Sequence, residues 1–151
     1  HQFYFDLGYG KQIIRYHIGS YWALLADIVP TANQEGLVSH LSDVKKFNSL
    51  VPVPSLAIDD PDFSSDGKYW RGSSWHPTTY MVIKGLEANG FKEKAKEISI
   101  KNVEANLELF KKTKTFWENL SPLKAEPGNP SQPDFCGWAG LSSVAIPREI
   151  F

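Results

Sequence analysis

Two clusters in the second half of the chain hold its chemistry. The first, Tyr69-Trp70-Arg71-Gly72-Ser73-Ser74-Trp75, sets aromatic rings beside a guanidinium. The second, Phe116-Trp117-Glu118-Asn119, is followed one loop later by Phe135-Cys136-Gly137-Trp138 and sets a carboxylate among aromatic faces. A sugar site needs these residue types. The apolar C–H face of a pyranose stacks on an indole, and its hydroxyls take charged hydrogen-bond partners. Cleaving a glycosidic bond requires two carboxyl groups flanking it. Glu118 supplies one, and the motifs supply no obvious second.

The elements that must position these clusters read mostly as helices. Phe3–Leu7 and Gln12–His17 flank Gly8-Tyr9-Gly10-Lys11 as a β-hairpin. Ser20 is placed to cap a helix carrying Tyr21, Leu24, Leu25 and Ile28 inward and ending at Pro30. Thr31-Ala32-Asn33-Gln34 has the form of a capping box. The helix it opens turns Leu37, Val38, Leu41 and Val44 inward, with Lys45 and Lys46 at its C-terminus. These two helices are expected to pack as an antiparallel hairpin. Pro77 opens a third helix that ends at Gly90. A fourth runs from about Phe91 to Lys112 with the stripe Ile100, Val103, Leu107 and Phe110, and with Glu97/Lys101 and Glu108/Lys112 as surface pairs. A fifth starts near Trp138 and is interrupted by Pro147. Residues 51–74 and 121–134 lack periodicity and are rich in Pro and Gly. Long loops inside a compact domain are usually functional, and both are expected at one end of the helices.

The 151 residues amount to one domain. Burial of roughly 68–70% of the unfolded surface is open to a chain of this size. Sixteen basic residues balance 17 acidic ones, and this argues against nucleic acid or an anionic membrane as the main partner. Aromatic residues make up 13% of the chain, and they concentrate in the loop-like stretches rather than the helices. No run of about 18 apolar residues occurs. The lone Cys136 excludes an internal disulfide, reads as an inert buried thiol and leaves the compartment open. His1, His17 and His40 have no metal-ligand spacing, so no metal and no cofactor are expected. The chain starts at His1 with neither initiator Met nor signal peptide, which reads as a processed or excised piece.

The ordered run Tyr69-Trp70-Arg71-Gly72-Ser73-Ser74-Trp75, then Thr79-Tyr80, Gly85-Leu86 and Gly90-Phe91, resembles the signature of glycoside hydrolase family 63 and its relatives. So does Trp117-Glu118-Asn119 followed by Pro122 and Phe135-Cys136-Gly137-Trp138. Those relatives include processing α-glucosidases, mannosylglycerate-hydrolase-like enzymes and, more distantly, trehalases. The resemblance covers most of Ile18 to Val144. It implies an all-α fold with a minor N-terminal β-hairpin, forming part of an (α/α)6 toroid of antiparallel helix pairs. It implies an inverting, exo-acting α-glycosidase in which Glu118 matches the general base. Tyr69, Trp70 and Arg71 match residues lining the pocket for the non-reducing-end sugar, Gly72 is counted with them as a substrate-binding residue, and Trp138 matches the aromatic closing the pocket. The general acid of the family lies upstream of anything matched here. Residues 1–151 therefore correspond to the C-terminal part of a larger catalytic domain. Its partners would be an oligosaccharide or disaccharide substrate and the remainder of that domain.

Plainer readings stand beside these. Glu118 is otherwise a surface carboxylate following a Lys-rich helix end. Arg71 is otherwise a cap or a partner of Asp66. Of Trp70 and Trp75, Trp75 is the better core residue and Trp70 the better platform, though both belong to the candidate site. His76 reads as a cap-region residue. Gln132 and Asp134 sit in the loop before Trp138, where sugar contact is open to either. The alternative to an enzyme is a non-catalytic carbohydrate-binding or pseudoenzymatic helical fragment, and the plainest reading is a helical module whose aromatics only pack. If a second carboxylate exists in this chain, Asp60, Asp66 and Asp134 are the candidates.

Overall fold

The computed structural model of the chain describes residues 2–144. Its regular structure is mainly helical, with two small two-stranded sheets. Strands β1 (Asp6–Gly8) and β2 (Lys11–Ile13) form the expected hairpin, in antiparallel register Leu7↔Gln12. Tyr9 and Gly10 both take positive φ, 50° and 74°, as a tight two-residue turn between twisted strands demands. The chain before the hairpin anchors through Phe3, whose ring meets Tyr16, Tyr21, His40 and Phe47.

The stretch from Ser20 to Pro30 departs from expectation. A 3-10 turn, Ile18–Tyr21, leads into the single turn α1 (Trp22–Leu25). Ser20 caps nothing, because its hydroxyl donates to Tyr4 O at 2.6 Å. Asp27 enters the left-handed region (φ 56°), which stops the helix before Pro30 and leaves Ile28 exposed. Helix α2 (Thr31–Ser39) has no side-chain cap. Gln34 is drawn away from the expected capping box to Val29 O and Asn89 Oδ1. Leu37, Val38 and Leu41 are buried as expected, but the helix ends before Val44, which is exposed. Lys45 and Lys46 thus lie beyond the helix. Lys46 pairs with Asp59 and stands 3.9 Å over the Tyr16 ring. Instead of forming a hairpin with α2, α1 lies on α3 (His76–Ala88). Gly85 permits this approach, since a Cβ there would stand 3.0 Å from the Leu25 backbone nitrogen.

Helix α3 and the 22-residue α4 (Lys92–Thr113) are the main helix pair, joined by a three-residue turn in which Gly90 has φ 84°. Pro77 lies in the first turn of α3, where its missing N–H has no helical partner to lose. The face that α4 buries is not the expected one. Ala95, Ile98, Ser99, Asn102, Ala105, Asn106 and Leu109 are inward, while Ile100 and Leu107 face solvent. Small residues at this spacing let two backbones approach closely, so the helix turns its small stripe rather than its greasiest one inward. Asn106 removes part of the cost of its burial by donating to Asn102 O at 2.8 Å. Glu97–Lys101 and Glu108–Lys112 pair on the outer face as expected.

The second sheet was not legible from periodicity. β3 (Ser74–Trp75) pairs antiparallel with β4 (Asn119–Leu120), matching Ser74 to Leu120 and Trp75 to Asn119. Single bridges extend it on each side, Pro54 to Ser74 and Leu120 to Pro127. The two long loops are therefore stapled together at one end, as expected. Asn129 also donates to Asp66 from both its backbone and its side chain, each at 3.0 Å. A main core gathers Tyr21, Leu24, Leu37, Phe47, Met81, Ile83 and Leu86, and a smaller one Val51, Ala105, Leu109 and Leu120 under Trp117. A 3-10 turn (Trp138–Gly140) and the short α5 (Leu141–Val144) follow. Pro147, expected to interrupt this helix, lies outside the described residues. Among the described residues no helix is long and apolar enough to cross a membrane.

Acid should loosen this structure in two stages. Burial holds the imidazoles of His76 and His40 below the ordinary value of 6.5. The unfolded chain then binds more protons than the folded one as pH falls below 6.5, so that stability declines from there downward. The carboxyls of Asp66 and Glu97 sit below their ordinary values of 3.8 and 4.5, chiefly through hydrogen bonds from Ser64 and Lys94. Their contribution is complete above those values and is lost only in stronger acid. Melting temperature followed from pH 8 to 3 should fall first just below about 6.5 and again below about 4.5. His76→Gln should flatten the first decline.

Candidate functional site

Glu118 is placed by its backbone. Helix α4 ends before the left-handed Lys114 (φ 61°), and Glu118 is the last residue before β4. The Glu118 N–H donates to Gln132 O at 2.9 Å. Its C=O accepts from the indole Nε1 of Trp138 at 3.1 Å. The carbonyl before it, Trp117 O, lies 3.0 Å from His76 Nε2. The peptide groups on both sides of Glu118 are thus held by three separate parts of the chain. The residue is only 9% exposed, yet among the described residues its carboxylate has one long contact, from Tyr69 Oη to Oε1 at 3.4 Å.

The first cluster folds over this carboxylate through a strained turn. Gly67, Lys68 and Tyr69 all have positive φ, 87°, 28° and 60°, before the 3-10 turn Tyr69–Arg71. Gly72 (φ 149°) is required where it stands, since a Cβ would lie 2.7 Å from Ser64 O. Its N–H donates to Ser55 Oγ. At the non-glycine Lys68 and Tyr69 such backbone strain costs about 1–3 kcal/mol per residue and persists only where the surroundings over-determine it. Here they do, because Tyr69 stands edge-on to Trp75 with ring centroids 4.7 Å apart.

Trp75 is the centre of the aromatic group. It is 1% exposed, stacked on Trp70 at 4.3 Å and 11°, and edge-on to Trp138 at 6.0 Å. The core role expected for it holds, and Trp70 (53% exposed) is left as the outward face. The Nε1 of Trp75 has no hydrogen-bond partner among the described residues. Trp22, Trp70, Trp75 and Trp138 line an open, mainly apolar cleft of about 510 Å³, with His17 and Pro77 at its wall.

Other sequence expectations fare differently. Tyr69, Trp70, Trp75, Glu118 and Trp138 come together. Gln132 joins them through its backbone carbonyl, while its side chain is on the exposed surface. Arg71 pairs with Asp62, not Asp66: Nε donates to Asp62 O at 2.9 Å and a terminal nitrogen lies 3.5 Å from Asp62 Oδ1. Cys136 is exposed, because it follows the left-handed Asp134 in a loop rather than entering the core. Asp60 is taken up by Arg15, Asp66 by Ser64 and Asn129, and Asp134 by Thr115. Sequence reasoning gave His76 no part beyond a helix start. Its ring is buried and also meets Ser142 Oγ at 2.6 Å, a pairing 66 residues apart for which no local signal exists.

Residues 1–140 match the family model of the mannosylglycerate hydrolase MGH1-like glycoside hydrolase domain. A probable mannosyl-oligosaccharide glucosidase of Schizosaccharomyces pombe is 25% identical over 115 residues, covering 70% of this chain and 14% of its own. The structure resembles that of a glycoside hydrolase family 63 mannosylglycerate hydrolase from Thermus thermophilus, solved in complex with glucose. The TM-score is 0.76 at 24% identity, over 95% of this chain and 33% of the other. It also resembles the neutral trehalase of Saccharomyces cerevisiae, with TM-score 0.77 at 14% identity over 98% of this chain and 27% of the other. The chain spans 14–27% of the length of the curated relatives it matches and about a third of the mannosylglycerate hydrolase structure. Carrying the matched family model over nearly its whole length, with the aromatic and Glu118 motifs folded against each other, the chain belongs to the MGH1-like glycoside hydrolase domain family.

Proposed function

We propose that these residues form the C-terminal part of the catalytic domain of an inverting, exo-acting α-glycosidase of the α-glucosidase type, with Glu118 as general base. The observation that carries the reading is the state of Glu118: a buried carboxylate on a fixed backbone whose one contact among the described residues is 3.4 Å, from the hydroxyl of Tyr69, whose ring in turn meets Trp70 and Trp75. A carboxylate serving structure alone is normally saturated by short hydrogen bonds or a cation. This one keeps lone pairs to offer a water. The family membership and the glucose bound by the Thermus thermophilus relative support a sugar as the ligand.

In this reading Glu118 takes a proton from water as the water oxygen bonds to the anomeric carbon and the glycosidic C–O bond breaks. A carboxylic acid on the opposite face, about 6.5–9.5 Å from Glu118, protonates the leaving oxygen. That acid comes from the remainder of the domain, since Asp60, Asp66 and Asp134 are all engaged in holding loops. Trp70, backed by Trp75, offers its face to the sugar ring, with Tyr69 and Trp138 beside it. Gly72 keeps the turn closed, Arg71 and Gln132 reach sugar hydroxyls at the rim, and an (α/α)6 toroid completes the fold. The solvent-facing Trp22, Ile100, Leu107 and Phe116 are then seams for the rest of the toroid. A carbohydrate-binding fragment without turnover is the second reading, favoured only by the single available carboxylate.

Three outcomes test this. The 151-residue chain alone should not turn over any α-linked disaccharide in a panel, and turnover would mean that one of the three aspartates acts as acid. In the full-length polypeptide, Glu118→Gln should lower kcat by about 10²–10⁴-fold, with sugar affinity and melting temperature close to wild type. Wild-type kcat in this variant would remove Glu118 as base. Trp70→Ala should instead weaken sugar binding by about 0.5–1.5 kcal/mol in titration calorimetry, because it deletes a stacking face and leaves proton transfer alone.

A further inference from the structure

We infer that His76, with Ser142 behind it, is a positioning residue that holds the peptide group carrying Glu118. The inference rests on the reading of Glu118 as the base. A carbonyl oxygen can only accept, so the nitrogen 3.0 Å from Trp117 O, Nε2, bears the ring proton. Nδ1 is then a bare lone pair, and the Ser142 hydroxyl at 2.6 Å donates to it. A continuous line results, from Ser142 Oγ–H to the imidazole and from Nε2–H to the carbonyl of the Trp117–Glu118 bond. Both ring nitrogens are used, and His76 is only 2% exposed. Burial favours the neutral ring, the form with one donor and one acceptor.

A core histidine that merely satisfies itself would look similar in burial and partners. The acceptor makes the difference. His76 holds the carbonyl adjoining Glu118, whose own N–H and C=O are already taken by Gln132 and Trp138. Without His76, Trp117 O loses a part-buried donor, and the peptide plane is free to tilt about the Glu118 Cα. Because, among the described residues, the carboxylate has only the 3.4 Å contact from Tyr69 to hold it, a tilt of the backbone moves it directly. Misplacement of a reacting group by about 1 Å can cost on the order of 10²-fold in rate.

The test compares His76→Asn with His76→Gln in the full-length polypeptide. The amide of Gln reaches the Nε2 position and can donate to Trp117 O, whereas that of Asn ends at the Nδ1 position and cannot. His76→Asn should lower kcat by about 10–10²-fold with KM nearly unchanged, and His76→Gln should recover most of the loss. Equal losses in both variants, or wild-type kcat in His76→Asn, would overturn the inference. Ser142→Ala keeps the ring and removes its orienting donor. A smaller kcat loss is expected there, with part of the imidazole shifting to the Nδ1–H tautomer. Two measurements do not depend on turnover. Nitrogen shifts of the His76 ring should report Nε2–H in the unaltered protein. Amide hydrogen exchange at Glu118 should quicken in His76→Asn and not in His76→Gln. A ring protonated at Nδ1, or unchanged exchange in His76→Asn, would sink the positioning role even if Glu118→Gln had already shown that Glu118 is not the base. Wild-type kcat in Glu118→Gln with quickened exchange in His76→Asn would remove the base and keep the clamp.

Discussion

The indole of Trp75 lies out of contact with water, and its neighbours are arranged around that burial. An indole buries up to about 250 Å² and leaves large gaps unless flat partners meet it. Here the partners are Trp70 stacked on one face and Tyr69 and Trp138 at the edges. Each comes from a segment without regular structure of its own beyond a single 3-10 turn. The backbone of Trp75 also pairs with Asn119, one residue beyond Glu118. One residue therefore joins the first motif, the carboxylate and the returning loop. The positive φ angles of Lys68 and Tyr69 are the local cost of bringing Tyr69 to that ring.

Much of the scaffold was legible in the sequence where the signal was long or chemically forced. The hairpin follows from its glycine turn, α3 from Pro77 and Gly90, and α4 from its length and spacing. The short helices failed because single side chains found better partners at long range: Ser20 went to Tyr4 and Gln34 to Asn89. The orientation of α4 failed for a different reason. Hydrophobicity weighs Ile100 and Leu107 above Ala95, Ser99 and Ala105, while close helix packing favours small residues. The β3–β4 pair is two residues on each strand, too short for any period to register.

The site divides in the same way. The residue types of the two motifs and their order were readable in the sequence. What holds Glu118 was not, because the bonds run to main-chain atoms of Trp117, Glu118 and Gln132 and so leave no trace in side-chain identity. The expected Asp66 partner of Arg71 was displaced by Asp62, which the turn at Asp60–Phe63 brings nearer. His76 and Ser142 each read as ordinary alone, and only the fold shows that they share a ring.

The pairing of the two long loops has a consequence for how this end of the molecule moves. Pro54, Ser74, Leu120 and Pro127 form one continuous row of backbone bridges, with Ser65, Asp66, Ser121 and Asn129 tied alongside. Neither loop can peel away without breaking the other's hydrogen bonds, so they lie in one cooperative unit and lose order together. A wall of this kind cannot serve as a lid. Any gating that admits a ligand to the cleft falls to whatever faces this wall, and the wall itself behaves as an anvil.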